Sequence, residues 1–173
     1  MALYTAGRFV PDPWRRLEEN EDLPSSGQVY MTFLDWHRHA PFRTHPHAKF
    51  SNVALGVILE PDDSLDEIAP DLPHLKMIAL NFPKFSDGRA YSLAQILRTR
   101  YGFKGELRAV GDVLFDQLQL MERSGFDAFE IKDPVTIRLL ESGRRSGINE
   151  FYQPSVLPEA PAGTRPWARR PRE

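Results

Sequence analysis

Five short runs rich in β-forming residues, each closed by turn residues and followed by a segment with helical character, leave few folds open to this chain. The runs are QVYMTF (28–33), NVALGVILE (52–60), KMIALNF (76–82), ELRAV (106–110) and FDAFEI (126–131). Runs of this length, bounded by Gly, Pro, Asp and Ser, read as strands. Strand and helix alternating at intervals of roughly 20 to 30 residues build βαβ units, and with them a mostly parallel sheet in a single α/β domain. Five units fall short of the closed eight-stranded barrel, which takes about 250 residues. The expectation is an open sheet, and the alternative is a half-barrel that completes its core against a second copy as a homodimer.

The helix starts carry their own chemistry. Ser64-Leu65-Asp66-Glu67 has the form of a capping box, in which serine and glutamate side chains satisfy each other's backbone amides. Asp87 is placed to cap a helix with Ala90, Ala94, Leu97 and Tyr101 along one stripe, ended by Gly102. Asp112 is placed to cap the next, with Leu114, Leu118 and Met121 inward and Gly125 as its stop. Asp133 followed by Pro134 is the order of a cap and a first-turn proline, opening a helix that carries Ile137, Leu139 and Leu140. The domain is expected to span 1–153. Pro154 to Glu173, with five prolines and four arginines against two glutamates, reads as a flexible tail, and Pro11 to Ser26 as a loop or frayed turn.

Composition removes whole classes of chemistry. With no cysteine among 173 residues, the chain has no thiol nucleophile, disulfide, iron–sulfur ligand or cysteine zinc site of its own. A formal charge of −2 lacks the basic excess of a general nucleic-acid binder. No apolar run reaches the roughly 18 to 20 residues of a membrane span and the first residues lack a signal-peptide pattern, so the expected location is the cytoplasm. Four of five histidines fall in HRHAPFRTHPH (37–47), but that spacing fits no metal motif and contains no carboxylate, so no metal is expected. Phosphate-cradling glycine motifs and the hydrolase elbow are absent, and no cofactor is implied by any motif.

In a parallel sheet the strand-to-helix loops gather at the carboxyl ends of the strands, where ligands bind. The stretch NFPKFSDGRAYS (81–92) lies at that edge, with Gly111 and Asp112 after the next strand and Lys132 and Asp133 after the one beyond. Lys84, Arg89 and Lys132 are therefore candidate anion-binding residues, set among helix N-termini whose free amides favour negative charge. Asp87, Gly88, Gly111, Asp112 and Gln117 are structural or edge positions. Asp116 is a candidate general base without a placed partner. Arg108 sits inside ELRAV, where a covered strand should be apolar, so it requires a carboxylate, with Glu130 or Asp127 as expected partners, or it serves an anionic ligand.

The span from Phe82 to Phe129 carries a resemblance as well. FPKFSDGRAYS, then LRTRYGFKGELRAVGDVLFDQ, then RSGFDAF, resembles a bacterial family labelled "oxidoreductase probably involved in sulfite reduction", whose members are typically encoded beside the assimilatory sulfite reductase. The resemblance implies an accessory role in reducing sulfite to sulfide. The partner would be sulfite reductase or another enzyme of sulfate assimilation, or the ligand a small oxyanion. An enzyme that handles such an oxyanion, or an oxidoreductase with a bound organic cofactor, is the alternative it implies. It assigns no role to any residue.

Overall fold

The computed structural model describes residues 2–38, 52–147, 155–156, 159–162 and 165–171. Its elements in chain order are β1 (Ala2–Thr5), β2 (Arg8–Val10), β3 (Trp14–Arg16), β4 (Gly27–Thr32), α1 (Phe33–Arg38), β5 (Val53–Leu59), α2 (Leu65–Ile68), β6 (Leu75–Phe82), α3 (Arg89–Thr99), β7 (Glu106–Gly111), α4 (Leu118–Ser124), β8 (Ala128–Ile131), α5 (Pro134–Glu141), β9 (Glu159–Ala162) and β10 (Arg165–Pro171). Short 3₁₀ turns at Ala69–His74 and Phe115–Gln117 lead into β6 and α4. Each of the five sequence-predicted strands is present within two residues of its expected bounds.

Eight strands form one sheet in the order β2-β1-β8-β7-β6-β5-β4-β3. From β3 to β8 every neighbouring pair is parallel, while β1 runs antiparallel to both β8 and β2. Strands added one after another in the same direction, joined by right-handed crossovers, put all the helices on one face. That face holds the main core, where Val29, Val57, Ile78, Leu80, Phe82, Leu107 and Phe129 meet Ala94, Leu97 and Met121 of the helices. Residues that alternate with these line the opposite face, and Trp14, Met77, Ala79 and Val110 form a second buried cluster there.

The sheet is curled into a half-barrel, and one short connection shows how strongly. β2 and β3 stand at opposite ends of the strand order, yet only Pro11, Asp12 and Pro13 separate them in the chain. Eight strands laid flat would set the outer two about 34 Å apart. Four peptide units reach at most about 15 Å. The two ends must therefore approach each other, and Trp14 of β3 packs on Met77 and Val110 of β6 and β7 across the concave face.

Several local expectations need correction. The Pro11 to Ser26 stretch is not all loop, because Trp14–Arg16 pairs in parallel with Gln28–Tyr30. Its strand signal is short and masked by two arginines between prolines. The Ser64 side chain makes no cap bond; Asp63 instead accepts the Glu60 amide at 2.7 Å. Asp112 does not cap a helix; the cap position of α3 is Gly88, while Asp87, one residue earlier, accepts the first α3 amide, that of Arg89, at 3.2 Å. Asp133 does cap α5, accepting the Thr136 amide at 2.7 Å, and Gly125 ends α4 at φ +108°. Within the Pro154 to Glu173 segment, β9 and β10 pair with each other as an antiparallel ribbon. No helix among the described residues is long and apolar enough to cross a membrane.

Candidate functional site

The loops after β6, β7 and β8 lie side by side because those strands are adjacent and parallel. Lys84, Gly111 and Lys132 accordingly share one rim. Side chains tie the loops together. Asp112 accepts the Phe85 amide at 2.8 Å, and its own amide donates to the Phe82 carbonyl at 2.8 Å. The buried Gln117 donates to the Phe85 carbonyl at 3.2 Å and accepts the Leu114 amide at 3.1 Å. Thr136 accepts the Phe115 amide at 3.0 Å while its hydroxyl donates to Asp133 at 2.6 Å. One hydrogen-bonded chain thus runs from the β6 loop to the start of α5.

Gly111 is required where it stands. Its φ is +93°, and an added Cβ would collide with the Phe82 carbonyl oxygen and the Asn81 side chain. Gly88 carries no such demand, since a Cβ there would meet only the Tyr91 ring, at 3.8 Å.

The candidate cations are mostly engaged. Arg89 pairs with Asp87, Nη2 to Oδ2 at 2.7 Å and Nε to Oδ1 at 3.0 Å, and also with Asp62. Hydrogen bonds to Asp87, with Asp62 adding to them, hold the Arg89 guanidinium above its ordinary pKa, and those from Arg89 hold the Asp87 carboxyl below its own. Lys132 lies 3.2 Å from the nearly buried Glu130. Lys84 is exposed, and its ammonium has no partner among the described residues. Asp116 is exposed in the 3₁₀ turn.

Arg108 is not on the rim. It points into the concave face with 0% of its side chain exposed, and its partners differ from those expected. Asp12 grips both terminal nitrogens, at 2.7 and 3.0 Å, and Glu106 takes Nε at 2.8 Å. Burial opposes the charge, but the bonds from Asp12 and Glu106 outweigh it, so the pKa is raised. Asp127 instead pairs with Arg98, whose guanidinium also donates to the carbonyls of Gly125, Phe103 and Gly105.

Sequence reasoning missed four carboxylates, one of them, Glu106, only two positions from Arg108 on the same face of β7. Asp12 lies 96 positions from Arg108, Asp62 27 positions from Arg89, and Glu60, just past the end of β5, accepts the Asn81 amide at 2.8 Å. No local pattern announces pairs so far apart. A second feature also escaped it: a cleft of about 480 Å³ at the ends of β3 and β4, lined by Arg16, Thr32, Asp35 and Arg38 among others. There Asp35 accepts from Thr32 at 2.6 Å and from Arg38 at 3.2 Å. Of the histidine run, His37 is described, 3.4 Å from Glu67 and edge-on to Phe33; positions 39–47 lie outside the described residues. No group of three or more metal-ligating side chains occurs among the described residues.

Fold and rim together define an α/β half-barrel protein whose strand-end loops form a stapled, carboxylate-rich surface. The chain belongs to the family described as "bacterial protein of unknown function (DUF934)", whose model matches residues 56–162 and so takes in β6, β7, β8 and the whole rim. No curated protein and no solved structure matches it.

Proposed function

We propose that the protein is an accessory component of assimilatory sulfite reduction that works by binding the reductase, or the enzyme that supplies its sulfite. The resemblance of the span from Phe82 to Phe129 to proteins labelled for sulfite reduction supports the pathway. One observation favours a protein partner over a free oxyanion: the rim cations Arg89 and Lys132 are already paired with carboxylates, leaving Lys84 alone. A small anion at Arg89 would have to displace Asp87 and Asp62 without a second free guanidinium to hold it. Co-purification from the native bacterium grown on sulfate as its sulfur source tests the reading. The reductase or its supply enzyme is expected in stoichiometric amount, and recovery of neither refutes the proposal.

Lys84, without a partner among the described residues, supports a second reading, in which the rim handles sulfite or sulfate directly, as an enzyme or a carrier. Calorimetric titration with sulfite, sulfate and adenosine phosphosulfates separates the two. Heat that disappears in Lys84→Ala favours the oxyanion, and its absence from the wild type favours the partner.

A further inference from the structure

Four large hydrophobic side chains are exposed among the described residues: Leu34, Phe85, Leu120 and Val135. Leu34, Phe85 and Val135 all lie just past the carboxyl ends of strands, in α1, the β6 loop and α5. Phe85 is 50% exposed and Val135 57% exposed, although both have backbone neighbours locked by the rim network. The Phe85 amide and carbonyl are both bonded, to Asp112 and Gln117, and Val135 precedes Thr136, which is held by Asp133 and holds Phe115. These anchors are thus presented on a fixed frame, which reduces the ordering cost of binding. Exposed apolar groups on a rigid support, ringed by polar residues, have the layout of an interaction centre.

The charge around them selects the partner. Asp62, Asp63, Asp87, Asp112, Asp116 and Asp133 lie on the β5 to β8 loops against Lys84, Arg89 and Lys132, so carboxylates outnumber cations there even after Arg89 is paired with Asp62 and Asp87. The field that remains is negative and attracts a basic surface.

We infer that the rim carrying Phe85 and Val135 is a docking surface for a protein face that presents lysines and arginines around an apolar socket. The identity of that partner as a sulfite-reduction enzyme rests on the function proposed above; the location and chemistry of the contact do not.

The test places a photo-cross-linking phenylalanine at position 85, 135 or 120 of the full chain, expressed in the native bacterium, and sequences the peptides captured. Position 120 lies in α4 on the helical layer and serves as the comparison. Adducts are expected from 85 and 135 and not from 120, with captured peptides that carry lysine or arginine beside the cross-link. Binding of the identified partner, purified, should weaken at least tenfold in Phe85→Ser and in Asp116→Lys, and should weaken with added salt in the wild type. Glu141→Lys, at the far end of α5, should leave it unchanged. Adducts only from 120, none from any site, captured peptides without basic residues, or affinity indifferent to Asp116→Lys would each overturn the inference. A basic partner outside sulfite reduction, cross-linked from 85 and 135, would uphold the docking surface while refuting the proposed function. A reductase that co-purifies but cross-links only from 120 would do the reverse.

Discussion

Arg108 combines complete burial with a full set of charged partners, and each needs the other. A guanidinium removed from water costs several kcal/mol unless its donors are satisfied, and Asp12 and Glu106 together occupy Nε, Nη1 and Nη2. Arg108→Leu should lower stability by about 1.5–3 kcal/mol in urea denaturation, since it removes the charged hydrogen bonds to Asp12 and Glu106, whose partly exposed carboxylates water can then reach. Adding Asp12→Asn to that variant should recover part of the loss. An Arg108→Leu protein as stable as the wild type would show that the pair contributes nothing. The sequence flagged Arg108 as out of place in a covered strand and demanded a carboxylate for it. It pointed to the wrong ones because Glu130 is drawn to Lys132 and Asp127 to Arg98, preferences set by which side chains converge in space.

Among the elements, helix starts divide by whether the aspartate has a better offer. Asp133 has only its own helix nearby and caps it; Asp112 has an unpaired amide on the neighbouring loop and staples that instead. Both uses satisfy a backbone donor, so local sequence cannot separate them. Hydrogen bonds from the Thr136 hydroxyl and amide hold the Asp133 carboxyl below the usual aspartate pKa. A depressed carboxyl adds stability above its unfolded pKa, near 3.9, and loses it as pH falls through the lower folded value. Asp133→Ala should therefore melt a few degrees lower than the wild type at neutral pH, and the gap should narrow in acid as the pH falls below the unfolded carboxylate value near 3.9. Scanning calorimetry at the two pH values checks this, and a gap constant with pH would exclude the linkage. The rim positions were legible because strand ends and glycine-aspartate turns are local features. Their pairing was not, because Asp62 reaches Arg89 from a different loop.

At the scale of the whole molecule, curvature decides what the concave face becomes. Pro11, Asp12 and Pro13 draw the two ends of the sheet together, the Trp14 ring fills the hollow, and Asp12 locks onto Arg108 beneath it. Trp14→Ala should lose about 3–5 kcal/mol, read by chemical denaturation followed by far-ultraviolet circular dichroism. A loss under about 1 kcal/mol would mean the ring does not support the curl. Hydrophobic periodicity and turn residues, which act over a few positions, were enough to specify five strands, their helices and the parallel sheet. They also determined which loops would share an edge, because that follows from strand direction alone. The curl, the three N-terminal strands and the long-range charge partners, Asp12 for Arg108, Asp62 for Arg89 and Asp127 for Arg98, were settled only by the tertiary structure. Those outcomes depend on contacts between segments up to 96 residues apart, and no local pattern encodes a distance that exists only once the sheet has bent.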